Sequence, residues 1–300
     1  MNDTDYMNLA LELARRGMGW TSPNPMVGAV LVKNGEIIGQ GWHTRYGELH
    51  AEREALKNCT GSPAGATLYV TLEPCCHQGR QPPCTQAILD AGITRVVVGS
   101  NDPNPLVAGK GLNILRAHGV QVETGVCKQA CDALNQVFFH FITTRRPYVV
   151  LKYAMTMDGK IATRTGASKW ITGETARKRV HEDRHRYRAI LAGVGTVLDD
   201  DPLLTCRMEG GRNPIRVICD TRLRTPLTAI SGARSSALQR RCRPFWLPPA
   251  LMKHAGPSMR PLDARCGCCL SGGNMWILPP SWTGWERRIS TASCWRGEAP

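Results

Sequence analysis

Four side chains of this sequence have the types and the spacing for metal-assisted hydrolysis. His50 and Glu52 lie in a His-Ala-Glu triplet, Pro74-Cys75 follows about 25 residues after His50, and Cys84 comes directly after Pro82-Pro83. One imidazole and two thiolates make a three-ligand set, which leaves the fourth tetrahedral position of a zinc ion open for water, as catalytic zinc requires. Zinc lowers the pKa of such a water towards neutrality. A Glu two residues beyond the ligand His can sit beside the water without ligating the metal, take its proton and hand it to a leaving amine. Taken singly, each residue has a plainer explanation: a helix-surface His, a small buried Cys. Their combination with Pro74 and the Pro83-Cys84 step argues for a metal, Cys76 standing as the alternative to Cys75. Cys59, Cys127 and Cys131 have no such partners and read as structural.

The elements that must carry these groups follow from periodicity. Residues 3–17 have Met7, Ala10, Leu11 and Ala14 on one helical face, with Asp3 or Thr4 as N-cap. Residues 26–32 and 37–41 are apolar runs around Lys33-Asn34-Gly35, and Asn-Gly in that setting signals a hairpin. Helices are expected over 50–58, 85–91, 111–118 and 130–143, and strands over 66–71 and 95–99. Thr144-Arg145-Arg146-Pro147 is a polar break, followed by a strand expected at 148–151, and residues 152–160 read as a strand leaving the core and then a polar turn. Beyond it come a helix near 174–185, a strand at 189–193, a Gly193-Val194-Gly195-Thr196 turn and a strand at 215–219. Strands alternating with helices at short spacing indicate an α/β layer fold. The domains read as 1–145, 146–227 and a tail of 228–300.

Composition narrows the function class. The 300 residues carry a formal charge of +14, which invites a polyanion reading. That charge is uneven: residues 228–300 hold 10 basic and 3 acidic side chains, and five of the eight Trp. No apolar run approaches the roughly 18–20 residues of a membrane span, and the start has no basic region ahead of an apolar stretch. The expectation is a cytoplasmic protein whose 13 Cys serve metal or chemistry rather than disulfides.

His-x-Glu followed by Pro-Cys and a second Cys is the zinc-deaminase signature. Nucleoside and nucleic-acid deaminases usually place the two Cys two residues apart, whereas eight residues separate Cys75 from Cys84 here. With Pro23-Asn24-Pro25, the run Thr71-Leu72-Glu73-Pro74-Cys75-Cys76-His77-Gln78-Gly79-Arg80 and Asp102-Pro103-Asn104-Pro105, the sequence closely resembles the bifunctional riboflavin-biosynthesis deaminase–reductases over about residues 1–227. The resemblance implies a cytidine-deaminase-like three-layer domain followed by a dihydrofolate-reductase-like α/β domain. It implies hydrolytic deamination of 2,5-diamino-6-(5-phosphoribosylamino)pyrimidin-4-one, then NADPH-dependent reduction of the ribosyl group to ribityl. By the same resemblance His50, Cys75 and Cys84 hold zinc and Glu52 shuttles the proton. Asn24 holds the pyrimidine or ribose, His43 lines the same pocket, and His77 and Arg80 are candidates for the phosphate. In the second domain Ala154, Trp170, Thr196 and Asp200 match the NADP-contacting places. Ser168, Arg184, Leu204 and Arg207 match places for the phosphorylated substrate, and Lys152 and Asp158 match polar residues near the reacting ribose.

The resemblance stops after Leu227, and the family's Glu-Gly-Gly-Gly loop near residue 300 is absent. In the second reading frame, the codons allowed by Arg243 to Pro249 permit Thr-Ile-Leu-Ala-Thr-Thr. Those allowed by Ser290 to Pro300 permit Asp-Ser-Ile-Leu-Leu-Glu-Gly-Gly-Gly-Thr, and both peptides resemble the family's continuation. The expectation is a frameshift after Leu227, a tail of 228–300 that is disordered or poorly packed, and a reductase activity impaired by it. The competing readings are a nucleic-acid or nucleoside deaminase and a polyanion-binding protein using Arg240-Arg241-Cys242-Arg243. The spacing of the two Cys and the second domain argue against nucleic acid, no membrane partner is expected, and homo-oligomerisation is left open.

Overall fold

The computed structural model describes residues 1–220, 224–226 and the strand Met275–Leu278. Two compact units result, one running to Val150 and the other starting at Leu151.

In the first unit α1 (Asp3–Arg15) is capped by Asn2, one residue earlier than the sequence suggests. The Asn2 side chain accepts from the Asp5 N–H at 3.0 Å, and the Asp5 carboxylate accepts from the Asn2 N–H at 2.8 Å. Asp3 is engaged elsewhere, its carboxylate accepting from Arg95 and from the Tyr69 hydroxyl. Strands β1 (Gly28–Lys33) and β2 (Glu36–Trp42) form the expected hairpin, closed by Asn34 and Gly35 at φ 52° and 81°, the left-handed pair that a two-residue turn of matching twist requires. Then follow α2 (Ala51–Lys57), β3 (Thr67–Leu72), α3 (Cys84–Asp90), β4 (Arg95–Ser100), α4 (Lys110–Ala117), β5 (Gln121–Thr124), α5 (Lys128–Leu134) and α6 (Gln136–Thr144).

The sheet order is β2-β1-β3-β4-β5, antiparallel across β2-β1-β3 and parallel across β3-β4-β5. Alternation along the strands sends Leu31, Leu68, Val70, Val96 and Val98 to one face, where they pack on Ala51 and Ala55 of α2, Ile88 of α3 and Leu115 of α4. Val30, Tyr69 and Val97 go to the other face, against α1 and Cys131 of α5. These are three layers, with a continuous apolar core on each side of the sheet. Gly41 sets the distance of α2 from the sheet, since a Cβ there would lie 2.3 Å from the Ala55 nitrogen and 2.6 Å from the Ala51 oxygen.

Besides the α1 cap, the structure differs from the sequence expectations at four stretches. β5 is short and mostly solvent-facing, so its period carries little signal. The single helix expected over 130–143 is two, broken at Asn135, whose buried carboxamide accepts from the Met26 N–H and donates to the Met26 carbonyl, both at 2.8 Å. No strand forms at 148–151 or at the start of 152–160, while the expected turn does form at 157–159, closed by the Gly159 N–H on the Thr156 carbonyl at 2.9 Å. The Gly193–Thr196 stretch enters a helix.

The second unit contains α7 (Glu174–Arg186), β6 (Ala189–Gly193), α8 (Val194–Asp200), β7 (Ile215–Cys219) and β8 (Met275–Leu278). Its strands are parallel, in the order β6-β7-β8, and Val194, Val197, Leu204 and Ile218 form the core. Apart from Met275–Leu278, the expectations for 228–300, the Arg240–Arg243 cluster included, lie outside the described residues.

Candidate active site

The sheet topology gathers the chemistry at one edge. β3 and β4 are parallel, so both end there, at Glu73-Pro74-Cys75 and at Asp102; β1 is antiparallel to them, so the same edge is where β1 begins after Asn24 and where β2 ends, at His43. The amino ends of α2 and α3 reach the same place. His50 is the N-cap residue of α2 and Glu52 lies in its first turn, while Cys84 is the first residue of α3. The result is a cleft of about 250 Å³ lined by Asn24, His43, Glu52, Cys75, His77 and Arg80, among others.

The ligand atoms of His50, Cys75 and Cys84 all lie within 4.8 Å of one another. His50 Nδ1 is 3.5 Å from the Cys75 Sγ and 3.4 Å from the Cys84 Sγ. A tetrahedral zinc with ordinary Zn–N and Zn–S bonds separates such a nitrogen and sulfur by about 3.6 Å, so the three side chains fit that ion. Cys76 stands apart, its Sγ 3.9 Å from the Leu106 carbonyl.

The electrostatics favour one thiolate even without a cation. Hydrogen bonds from Cys84, from its side chain first, and from His50 hold the Cys75 thiol well below its ordinary pKa. The same hydrogen bond with Cys75, with burial added, keeps Cys84 protonated well above its own, and a divalent cation would remove that second proton. His50 is raised by its bond to Cys75. Glu52, 3% exposed, is pushed up chiefly by burial. His43, equally buried, is lowered by desolvation.

Asn24 Nδ2 lies 3.3 Å from His43 Nε2, and Arg80 stacks its guanidinium over Tyr46 at 5.0 Å. Sequence reasoning gave no role to Glu73 or Asp102. Buried Glu73 accepts through Oε2 from the Gly109 N–H at 3.0 Å and the Asp102 N–H at 3.4 Å, clamping the loop that walls the cleft. Asp102 accepts from the Asn104 N–H at 2.8 Å, and burial lifts its pKa to about 6. Both sit inside the motif strings quoted above; their position beside Cys75 and in Asp-Pro-Asn-Pro was the available signal.

The second-unit candidates fall into two groups. Arg184 of α7 donates to the Thr205 carbonyl at 2.8 Å, and the Arg207 N–H donates to His181 Nδ1 at 3.2 Å, which brings Arg184, buried Leu204 and Arg207 together. Burial, then the charge of Arg207, lowers the pKa of Arg184. Thr196 and Asp200 lie one turn apart on α8, and Asp200 pairs with Lys169 at 3.1 Å, next to Trp170, which packs under Arg177. Lys152, Ala154, Asp158 and Ser168 lie in irregular backbone, and no hydrogen bond, ion pair or ring contact among the described residues ties them to either group.

Residues 1–100 match the family described as the cytidine and deoxycytidylate deaminase zinc-binding region, and residues 147–244 match the RibD C-terminal domain. The chain is 59% identical over 227 residues to the riboflavin biosynthesis protein RibD of Actinobacillus pleuropneumoniae, covering 76% of this chain and 60% of that one. It is 53% identical over 228 residues to RibD of Aquifex aeolicus, covering 76% of this chain and 64% of the relative. The chain thus spans less than two thirds of the length of these curated relatives. Among solved structures it is similar to a diaminohydroxyphosphoribosylaminopyrimidine deaminase/5-amino-6-(5-phosphoribosylamino)uracil reductase from Thermotoga maritima, with TM-score 0.71, 49% identity, and coverage of 73% of this chain and 63% of that one. RibD of Acinetobacter baumannii gives TM-score 0.72 and 47% identity, with 76% and 65% covered. The first unit is a cytidine-deaminase-like fold and the second carries the dihydrofolate-reductase-like α/β fold of the RibD C-terminal region. By sequence and by fold, the chain belongs to the RibD family.

Proposed function

We propose that the first unit is an enzyme of riboflavin biosynthesis that hydrolytically deaminates 2,5-diamino-6-(5-phosphoribosylamino)pyrimidin-4-one, releasing ammonia. The observation that carries the reading is the convergence of His50, Cys75 and Cys84 beside a buried carboxyl, Glu52, in a cleft of about 250 Å³. His50, Cys75 and Cys84 would hold a zinc ion, which would supply the Lewis acidity to lower the pKa of a water towards neutrality. Glu52 does the proton work. Its carboxylate takes a proton from the attacking water as the oxygen bonds to the ring carbon, and returns it to the amino nitrogen as the C–N bond breaks. Its desolvated surroundings suit that task, because they bring the carboxyl closer to the pH at which it must both accept and give. Asn24 orients the pyrimidine or ribose, and Arg80 and His77, which line the cleft, offer charge and donors to the phosphate.

For the second unit the reading is NADPH-dependent reduction of the ribosyl group to ribityl, impaired by the altered residues after Leu227. Ala154, Trp170, Thr196 and Asp200 are the proposed NADPH contacts, and Ser168, Arg184, Leu204 and Arg207 the proposed substrate contacts. Lys152 and Asp158 are assigned to the reacting ribose. The support within the fold is the Arg184–Arg207 pair, whose mutual repulsion an anionic phosphate would relieve. No helix among the described residues is long and apolar enough to cross a membrane; a cytoplasmic setting is part of the proposal, as is the frameshift, which an intact mass and a resequenced gene test together.

Glu52→Gln tests the deaminase reading. The variant keeps the shape of the side chain and the metal ligands, so zinc content stays at the wild-type level while ammonia release falls by about 10²–10⁴-fold, the usual worth of a positioned acid–base group. A fully active Glu52→Gln enzyme rules out the assigned proton shuttle.

A further inference from the structure

We infer that His43 is a positioning residue that fixes the Asn24 carboxamide with its Oδ1 towards the cleft, as acceptor for an N–H of the aminopyrimidine; this rests on the deaminase reading above.

His43 follows β2, its own N–H bonded to the Val27 carbonyl at 2.9 Å, and its side chain is 2% exposed. Nδ1 lies 2.9 Å from the Leu49 carbonyl oxygen. A carbonyl only accepts, so Nδ1 is the donor to Leu49, and the Asn24 amide nitrogen placed on the other side of the ring makes Nε2 the acceptor. The ring plane is held by edge-on packing against His50, with centroids 5.4 Å apart and planes at 80°. Nε2 faces the Asn24 side chain at 3.3 Å.

Only one orientation of that amide satisfies both partners. With Nδ2 inward, an N–H meets the lone pair of Nε2. With Oδ1 inward, two acceptors face each other away from water, which costs the full penalty of an unmade hydrogen bond. The chain Leu49 carbonyl, His43, Asn24 therefore transmits a backbone constraint to a carboxamide that a lone Asn, free to turn about its last torsion, would not keep. Asn24 lines the cleft, and its Oδ1 accepts no hydrogen bond among the described residues, which leaves it available to a donor on the substrate. A residue that merely stiffened the 43–49 loop would share the Leu49 bond but would have no energetic coupling to Asn24.

Two measurements on the zinc-loaded full chain test this. The ¹⁵N spectrum of the His43 ring, in the wild type at neutral pH, is expected to show a proton on Nδ1 and none on Nε2; a proton on Nε2 overturns the inference and needs no variant. The second is a double-mutant cycle on ammonia release with His43→Ala, Asn24→Ala and both together. Each single change is expected to raise KM roughly tenfold, the worth of one lost hydrogen bond, and the double variant to be no worse than Asn24→Ala alone. Losses that multiply towards a hundredfold show that His43 does not act through Asn24. A wild-type protein that releases no ammonia refutes the deaminase reading instead, and the nitrogen spectrum then decides the tautomer by itself.

Discussion

Gly41→Ala separates the position of α2 from the identity of the residues it carries. Gly41 lies on β2 directly beneath the helix whose first turn presents His50 and Glu52. A Cβ built there sits 2.3 Å from the Ala55 nitrogen and 2.6 Å from the Ala51 oxygen, against an ordinary limit of 3.4 Å. Both obstacles are main chain, so no side chain can swing aside, and α2 must retreat by about 1 Å. Cys75 and Cys84 hang from β3 and α3 and stay where they are. The His50 imidazole and the Glu52 carboxyl then move away from the thiols and the cleft. A misplacement of that size costs on the order of 10²-fold in rate, and overpacking of this kind costs about 1–3 kcal/mol of stability. The comparison variant is Gly35→Ala in the hairpin turn. There a Cβ meets nothing within 4 Å but φ is +81°, so stability falls and the site stays intact. Thermal unfolding, zinc content and ammonia release are measured on both. Gly41→Ala is expected to lose activity and bind zinc more weakly at temperatures where it is still folded, and Gly35→Ala to keep full activity per folded molecule. Equal activity of the two folded variants would mean that the depth of α2 does not position the site.

Two further predictions concern the ligand set and the opposite end of the sheet. Cys84→Ser replaces a thiolate by a hydroxyl that stays protonated, and both zinc content and ammonia release are expected to fall; normal zinc in that variant removes Cys84 from the ligand set. Asp3 is bonded to Arg95 and Tyr69, and these bonds, that of Arg95 first, hold its carboxyl below the ordinary carboxylate value. Its stabilisation is therefore present above the unfolded value and is lost as pH falls through the lower folded one. Urea unfolding between pH 3 and 6 should show Asp3→Asn less sensitive to acid than wild type, by a small margin because the pair is partly exposed; an unchanged acid limb contradicts this.

Legibility followed the range of the forces involved. The Asn34-Gly35 hairpin, the strands over Val96–Val98 and the helix with Met7, Leu11 and Ala14 inward are written in short-range periodicity, and they appear where that periodicity puts them. The residues that converge on the cleft stand in contiguous strings, so they could be singled out as candidates before any fold was known. What was not readable depends on partners far along the chain. The break at Asn135 needs Met26, and the role of Glu73 needs Gly109. Asp3 leaves the capping position to Asn2 because Arg95 and Tyr69 claim its carboxylate. The apolar run at 148–151 shows the limit of composition: it marks a segment suited to burial without saying against what, and Val149 and Leu151 are 75% and 82% exposed.

The most direct test is a coupled assay on one zinc-loaded preparation, with ammonia release and NADPH consumption scored separately on 2,5-diamino-6-(5-phosphoribosylamino)pyrimidin-4-one. Ammonia is expected in step with loss of substrate, with little or no NADPH oxidation. Zinc-loaded, folded protein that releases no ammonia from this substrate would overturn the deaminase assignment.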